Sequence, residues 1–143
     1  MRNLLALIVL TAALGGAAQA EELRTATLYK NPQCGCCEGY ADYLRDNGFE
    51  VAVEATHDLP LLHRQHGVPD PLVGCHTTLV EGYVVEGHVP VGALIRLLTE
   101  KPAIRGISLP GMPAGSPGML GEKTEPFTIY EIGDGPAKVY AVE

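Results

Sequence analysis

Four cysteines carry the chemistry open to this sequence. Three stand together as Cys34-Gly35-Cys36-Cys37, and the fourth is Cys75. Cys34 and Cys37 form a Cys-x-x-Cys pair with Cys36 as an extra thiol between them. At the start of a helix such a pair suits thiol–disulfide exchange or soft-metal ligation, because the terminal N–H groups and their positive potential stabilise the thiolate that both require. Structural stapling explains the spacing poorly. At most one of the clustered cysteines can bridge Cys75, and a second bridge would have to close within the cluster. Adjacent Cys36 and Cys37 would force a strained ring, whereas Cys34 and Cys37 reach ordinary disulfide geometry. An oxidised, metal-free chain is therefore expected to carry Cys34–Cys37. A soft metal would then bind only after reduction, since a disulfide offers no thiolate.

Other donors surround these thiols in sequence. His76 follows Cys75 directly, and strand alternation would turn it away from the cluster. It reads either as a ligand for a second ion or as a packed strand residue. His88 sits in a Gly87-His88-Val89-Pro90 turn, where it can approach the cluster or serve as a cap. His57, His63 and His66 lie on or beside a short helix. His63 and His66 are i,i+3 neighbours that offer at most a weak surface site, and nothing specific is expected of them. Met112 and Met119 stand in a Gly/Pro-rich segment, 111–119. Thioether sulfur is a soft ligand that forms no disulfide; the alternative is apolar packing of the loop onto the core. In either case the segment can cover the thiols.

The elements that must position these groups follow from periodicity and punctuation. Residues 23–29 read as a strand broken by Asn31-Pro32. Tyr40, Ala41, Tyr43 and Leu44 form a helical stripe over 37–47, stopped by Gly48. Phe49–Ala55 alternates as a strand. Asp58 caps a short helix over 59–66, ended by Gly67. Residues 76–80 and 83–86 are strands joined by Glu81-Gly82, a two-residue hairpin. Pro90 opens a helix to Thr99, with Val91, Leu94, Ile95, Leu97 and Leu98 on its apolar side. The order β-α-β-α-β-β-α is that of an α/β thioredoxin-like fold, with a parallel first pair and an antiparallel hairpin. Residues 106–121, rich in Gly, Pro and Met, read as an irregular loop, and 127–132 with 138–142 as a further hairpin. The expected organisation is a leader at 1–20, a thioredoxin-like metal-binding domain at 21–103 and a loop-and-hairpin extension at 104–143. In this topology the loop before the third strand lies beside the first helix's N-terminus, where thioredoxins place a cis-proline. Here that loop reads Val73-Gly74-Cys75-His76-Thr77, and Pro71 comes four residues too early. A cysteine stands where the proline would, so all four thiols converge on one pocket.

Composition and targeting bound the partners. The 143 residues hold 17 Asp+Glu against 10 Lys+Arg, a formal charge of −7, with no Trp and two Phe. Lacking a basic run and a stacking platform, the chain is not expected to bind nucleic acid. Met1-Arg2-Asn3, the apolar stretch 4–14 and Ala18-Gln19-Ala20 fit an export leader cleaved after Ala20. The apolar stretch is shorter than the roughly 20 residues that span a bilayer. The expected product is periplasmic and free of the membrane after leader removal. It would lie in a compartment where disulfides persist.

Thiolate donors select Cu(I), and also suit zinc and iron–sulfur clusters. One ion would bind adjacent Cys36 and Cys37 only with strain, whereas a multinuclear cluster can give each thiolate its own ion. Lys30-Asn31-Pro32-Gln33-Cys34-Gly35-Cys36-Cys37, Gly74-Cys75-His76-Thr77, Gly82-Tyr83-Val84-Val85-Glu86-Gly87-His88-Val89-Pro90 and Pro110-Gly111-Met112-Pro113-Ala114-Gly115-Ser116-Pro117-Gly118-Met119 together resemble the CopG family of periplasmic copper-resistance proteins. The resemblance spans about residues 25–119. It implies a thioredoxin-like fold and a Cu(I) site on Cys34, Cys36, Cys37 and Cys75. It also implies copper as cargo, copper redox exchange as an added activity, and other periplasmic copper-handling proteins as partners. The hairpin from Phe127 lies outside it. Two functions are carried forward. One is a copper-binding protein for resistance and homeostasis, with copper oxidoreductase chemistry as an extension. The other is a thiol–disulfide oxidoreductase with Cys34 as nucleophile and Cys37 as resolving thiol. The missing proline, Cys36 and Cys75 favour the first.

Overall fold

The computed structural model describes residues 23–143. The leader read at 1–20 lies outside the described residues. Eleven segments follow in order: β1 (Arg24–Lys30), α1 (Gly35–Asp46), β2 (Phe49–Ala55), α2 (Leu59–Gln65), a 3-10 turn (Asp70–Leu72), β3 (His76–Val80), β4 (Tyr83–Gly87), α3 (Val91–Glu100), β5 (Gly106–Leu109), β6 (Thr128–Ile132) and β7 (Val139–Val142). The strands form one sheet in the order β2-β1-β3-β4-β5-β6-β7. β1 and β2 are parallel across α1, β1–β3 and β3–β4 are antiparallel, and β4–β5 are parallel across α3. A parallel pair requires such a crossover, so the two helices follow from the pairing. The mixed α/β, thioredoxin-like order read from sequence is the observed one.

Two layers cover the sheet. On one face α1 buries Tyr40, Ala41 and Leu44, and α3 buries Ala93, Leu94, Leu97 and Leu98 against Leu28, Val85, Ile107 and Ile129. Each such Leu, fully withdrawn from water, contributes about 1.5–3 kcal/mol. On the other face Val68 and Leu72 pack on Val84 and Ile132. Ile95 is 43% exposed, so it belongs to the outer face of α3 and not to the apolar stripe assigned from sequence. The Glu81-Gly82 turn has φ of 47° and 83°, the pair of positive values that a two-residue hairpin needs.

Two boundaries differ from the sequence reading. α1 begins at Gly35, drawing Cys36 and Cys37 into its first turn with Cys34 as N-cap. The segment read as loop from 106 starts with a strand: β5 pairs with β4 and, antiparallel, with β6. Its identity comes from its partners rather than its composition. A Cβ on Gly106 would lie within 1.7 Å of the Val84 carbonyl oxygen, so only glycine permits that approach. β6 and β7 pair antiparallel, forming the expected terminal hairpin as a continuation of the same sheet. No helix among the described residues is long and apolar enough to cross a membrane.

Candidate metal centre

The site forms where β1 ends, α1 begins and the chain enters β3. Asn31 turns the chain: its carbonyl accepts the Cys34 N–H at 2.9 Å and its side-chain oxygen accepts the Gln33 N–H at 3.0 Å. Lys30, nearly buried at the end of β1, pairs with Glu38 in the first turn of α1 at 2.9 Å and so clamps the loop between them. Cys34 is joined to Cys37 by a disulfide with Cα atoms 5.5 Å apart. This is the pairing expected of the oxidised, metal-free chain. Cys36 and Cys75 are free thiols. Cys36 Sγ lies 3.5 Å from Cys34 Sγ, and Cys75 Sγ lies 3.7 Å from Cys37 Sγ. All four sulfurs fall within 4.8 Å of one another although 38 residues separate Cys37 from Cys75.

Both histidines reach this group. His76 Nδ1 is 3.3 Å and His88 Nε2 is 3.1 Å from Cys75 Sγ, and Cys75, His76 and His88 form a second group of donors within 4.8 Å. Alternation was expected to turn His76 away. It begins β3, where Cys75 still lies outside the strand, so the two side chains need not take opposite faces. His88 Nδ1 donates to the Pro117 carbonyl at 2.6 Å, which leaves Nε2 with a lone pair facing the Cys75 S–H. The Tyr40 ring stands 4.7 Å from His76 and 5.5 Å from His88, and its hydroxyl donates to the Val89 carbonyl at 2.9 Å. Tyr43, one helical turn on, accepts the Val91 N–H that opens α3. The aromatic stripe of α1 therefore backs the site and ties it to α3.

Burial sets the charge states. It pushes the His76 imidazole down to about 3, helped by the neighbouring His88. It also lowers His88, with the Pro117 carbonyl acting the other way. Both rings are neutral at neutral pH, the state in which a ring nitrogen can ligate. Burial, then the nearby Cys36, pushes the Cys75 thiol up to about 12. A metal bound there would have to displace that proton.

Residues 117–120 of the segment 110–121 border the site. Gly118 at φ 79° rests on the start of α1: a Cβ there would stand 2.5 Å from the Tyr40 nitrogen, and one on Gly39 would stand 3.1 Å from the Gly118 oxygen. Met119 lines an apolar depression with Gly35, Cys36, Gly118 and Leu120. Met112 is 44% exposed and does not line that wall. The structure thus brings together Cys34, Cys36, Cys37, Cys75, His76 and His88, sets Met119 beside them, and leaves Met112 apart.

Two further residues stand behind the site: Glu86, for which the sequence offered no role, and His63, expected to offer at most a weak surface site with His66. Glu86 on β4, opposite Thr77 of β3, is fully buried, and His63 Nε2 on α2 lies 3.4 Å from its carboxylate. A carboxylate inside the apolar run Val84-Val85-Glu86 was the available signal, since an unpaired charge is not tolerated there.

A family model described as a protein of unknown function, DUF411, matches residues 72–119. No curated protein matches the chain. Two solved structures are similar, Copper resistance protein copG Form 2 and Form 1, each at 33% identity and a TM-score of 0.78. They cover 85% of this chain and 99% and 98% of their own. That likeness extends beyond residues 25–119 and takes in nearly the whole of both relatives, so the chain belongs to the CopG family.

Proposed function

We propose that this protein binds copper as Cu(I) on Cys34, Cys36, Cys37 and Cys75, as a multinuclear cluster, in the service of copper resistance and homeostasis. The observation that carries the reading is the convergence of four sulfurs from two distant segments within 4.8 Å. Thiolates are the ligands that favour Cu(I), and the similar solved proteins bear the name copper resistance protein. His76 and His88 supply neutral nitrogen donors that suit a second ion or an oxidised one, and Met119 a soft contact at the mouth. Residues 21–103 carry the sulfur and imidazole donors as a thioredoxin-like metal-binding domain, and 104–143 add the covering loop and hairpin. Export to the periplasm with cleavage after Ala20 accords with the leader pattern. There the chain would exchange copper with other copper-handling proteins.

The Cys34–Cys37 pair also supports redox exchange. Two Cu(II) ions would each take one electron from the dithiol, giving two Cu(I), the disulfide and two released protons. A second reading, a thiol–disulfide oxidoreductase, is favoured by the same disulfide at a helix start. Titration of fully reduced protein with Cu(I) under anaerobic conditions, alongside insulin reduction without metal, separates the two. Copper binding predominates if several Cu(I) load per chain and insulin is not reduced. Turnover of insulin with no retained copper would reverse the order.

A further inference from the structure

The β3–β4 ladder ends at Thr77↔Glu86, so Cys75 and Gly74 lie beyond it. What holds them is on the opposite face of the sheet from the sulfurs. Successive strand residues alternate faces. His76 packs on Tyr40 of α1, so Thr77 and its partner Glu86 face α2. The Glu86 carboxylate accepts the Gly74 N–H through Oε2 at 2.9 Å and the Thr77 hydroxyl through Oε1 at 2.6 Å. One carboxylate thus pins the residue before Cys75 and the residue after His76. Gly74 lies flat on β4, where a Cβ would come within 2.4 Å of the Gly87 nitrogen. A proline in this loop would hold the backbone by its ring. Here the loop carries a cysteine instead, and the pinning comes from across the strand pair.

We propose that Glu86 is a positioning residue for the metal centre, acting through Gly74 and Thr77 to fix where Cys75 and His76 present their ligand atoms. The inference rests on the copper-binding reading for its consequence but not for its geometry. Residues that orient metal ligands typically change affinity by roughly 10–100-fold when removed.

The experiment compares wild type, Glu86→Leu, Glu86→Gln and, as a stability control in the core of α3, Leu97→Ala. Cu(I) affinity is read by chelator competition, the thiolate–copper absorption by spectroscopy, and amide hydrogen exchange of residues 74–77 on reduced, metal-free protein. Glu86→Leu is expected to weaken Cu(I) roughly 10–100-fold, alter the absorption and speed exchange at 74–77 at least tenfold. Glu86→Gln, which keeps one acceptor oxygen, should recover part of each. Leu97→Ala should lower the melting temperature without changing affinity or absorption. If Glu86→Leu does not fold, Thr77→Val removes one pin and should give a several-fold change in the same direction. Unchanged exchange at 74–77 would overturn the proposal, as would a loss of affinity in Leu97→Ala equal to that in Glu86→Leu. If wild type binds no copper, the functional reading fails and exchange alone decides the positioning.

Discussion

Gly118→Ala puts the seating of the segment 110–121 on α1 under test. The new Cβ would sit 2.5 Å from the Tyr40 nitrogen and 2.8 Å from the Gly39 carbonyl carbon, at a φ of 79° that L residues rarely adopt. The backbone penalty is about 1–3 kcal/mol. The clash cannot be relieved by a side chain, because both opposing atoms belong to α1. The loop must lift, and lifting breaks the Pro117–His88 hydrogen bond, a further loss of about 0.5–1.5 kcal/mol. The two together set a loss of about 1.5–4.5 kcal/mol, which a loop that peels away locally can partly escape. Urea unfolding should show a lowered midpoint with little change in slope. Limited proteolysis should cut within 110–121 several-fold faster. Cu(I) hand-off to a chelator should also quicken, since Met119 and Leu120 would no longer wall the depression beside Cys36. A midpoint, cleavage rate and hand-off rate all equal to wild type would show that the loop is not seated on α1 and would refute the reasoning.

Other outcomes follow from the same geometry. Peptide mapping of air-oxidised, metal-free protein should find Cys34–Cys37 as the dominant linkage, with Cu(I) uptake only after reduction; a dominant link to Cys75 would reject it. Met119→Leu should alter the rate of Cu(I) transfer while stoichiometry holds, and Met112→Leu should change neither rate nor stoichiometry, because of the two only Met119 lines the depression with Cys36. Acid stability in metal-free protein should show opposed groups, the lowered imidazoles of His76, His88 and His63 on one side and Glu86 on the other, with His76 and Glu86 shifted most. His76, held down to about 3, contributes stability that is present above its ordinary 6.5 and lost as pH falls towards 3. Glu86, pushed up by burial to about 7, contributes stability present below its ordinary 4.5 and lost as pH rises through 7. The two slopes oppose each other between 4.5 and 6.5, at about 1.4 kcal/mol per pH unit each. Glu86→Gln should therefore lose stability on acidification across that window faster than wild type, as read from urea midpoints; parallel profiles would contradict the sign.

How much of this was legible in sequence depends on where each signal originates. The order of β1 to α3 follows from local periodicity and turn residues, and Glu81-Gly82 marked its hairpin unaided. β5 could not be read that way, because Gly106-Ile107-Ser108-Leu109 is a strand only by virtue of β4 and β6 on either side. The convergence of Cys75 on the helix start was legible through topology. The approach of His76 was not, since alternation applies within a strand and Cys75 precedes it. His63, given no specific part, packs against Glu86 with its side chain 13% exposed, a contact between α2 and the back of the sheet that no short-range pattern encodes.

The central claim is that Cys75 belongs to one metal centre with the three cysteines at the start of α1. Anaerobic Cu(I) loading of reduced Cys75→Ser protein, set beside Cys34→Ser, Cys36→Ser and Cys37→Ser, tests it most directly. Cys75→Ser should lose as much bound copper as the others and show a changed sulfur–copper absorption. Full loading with an unchanged spectrum would contradict the account.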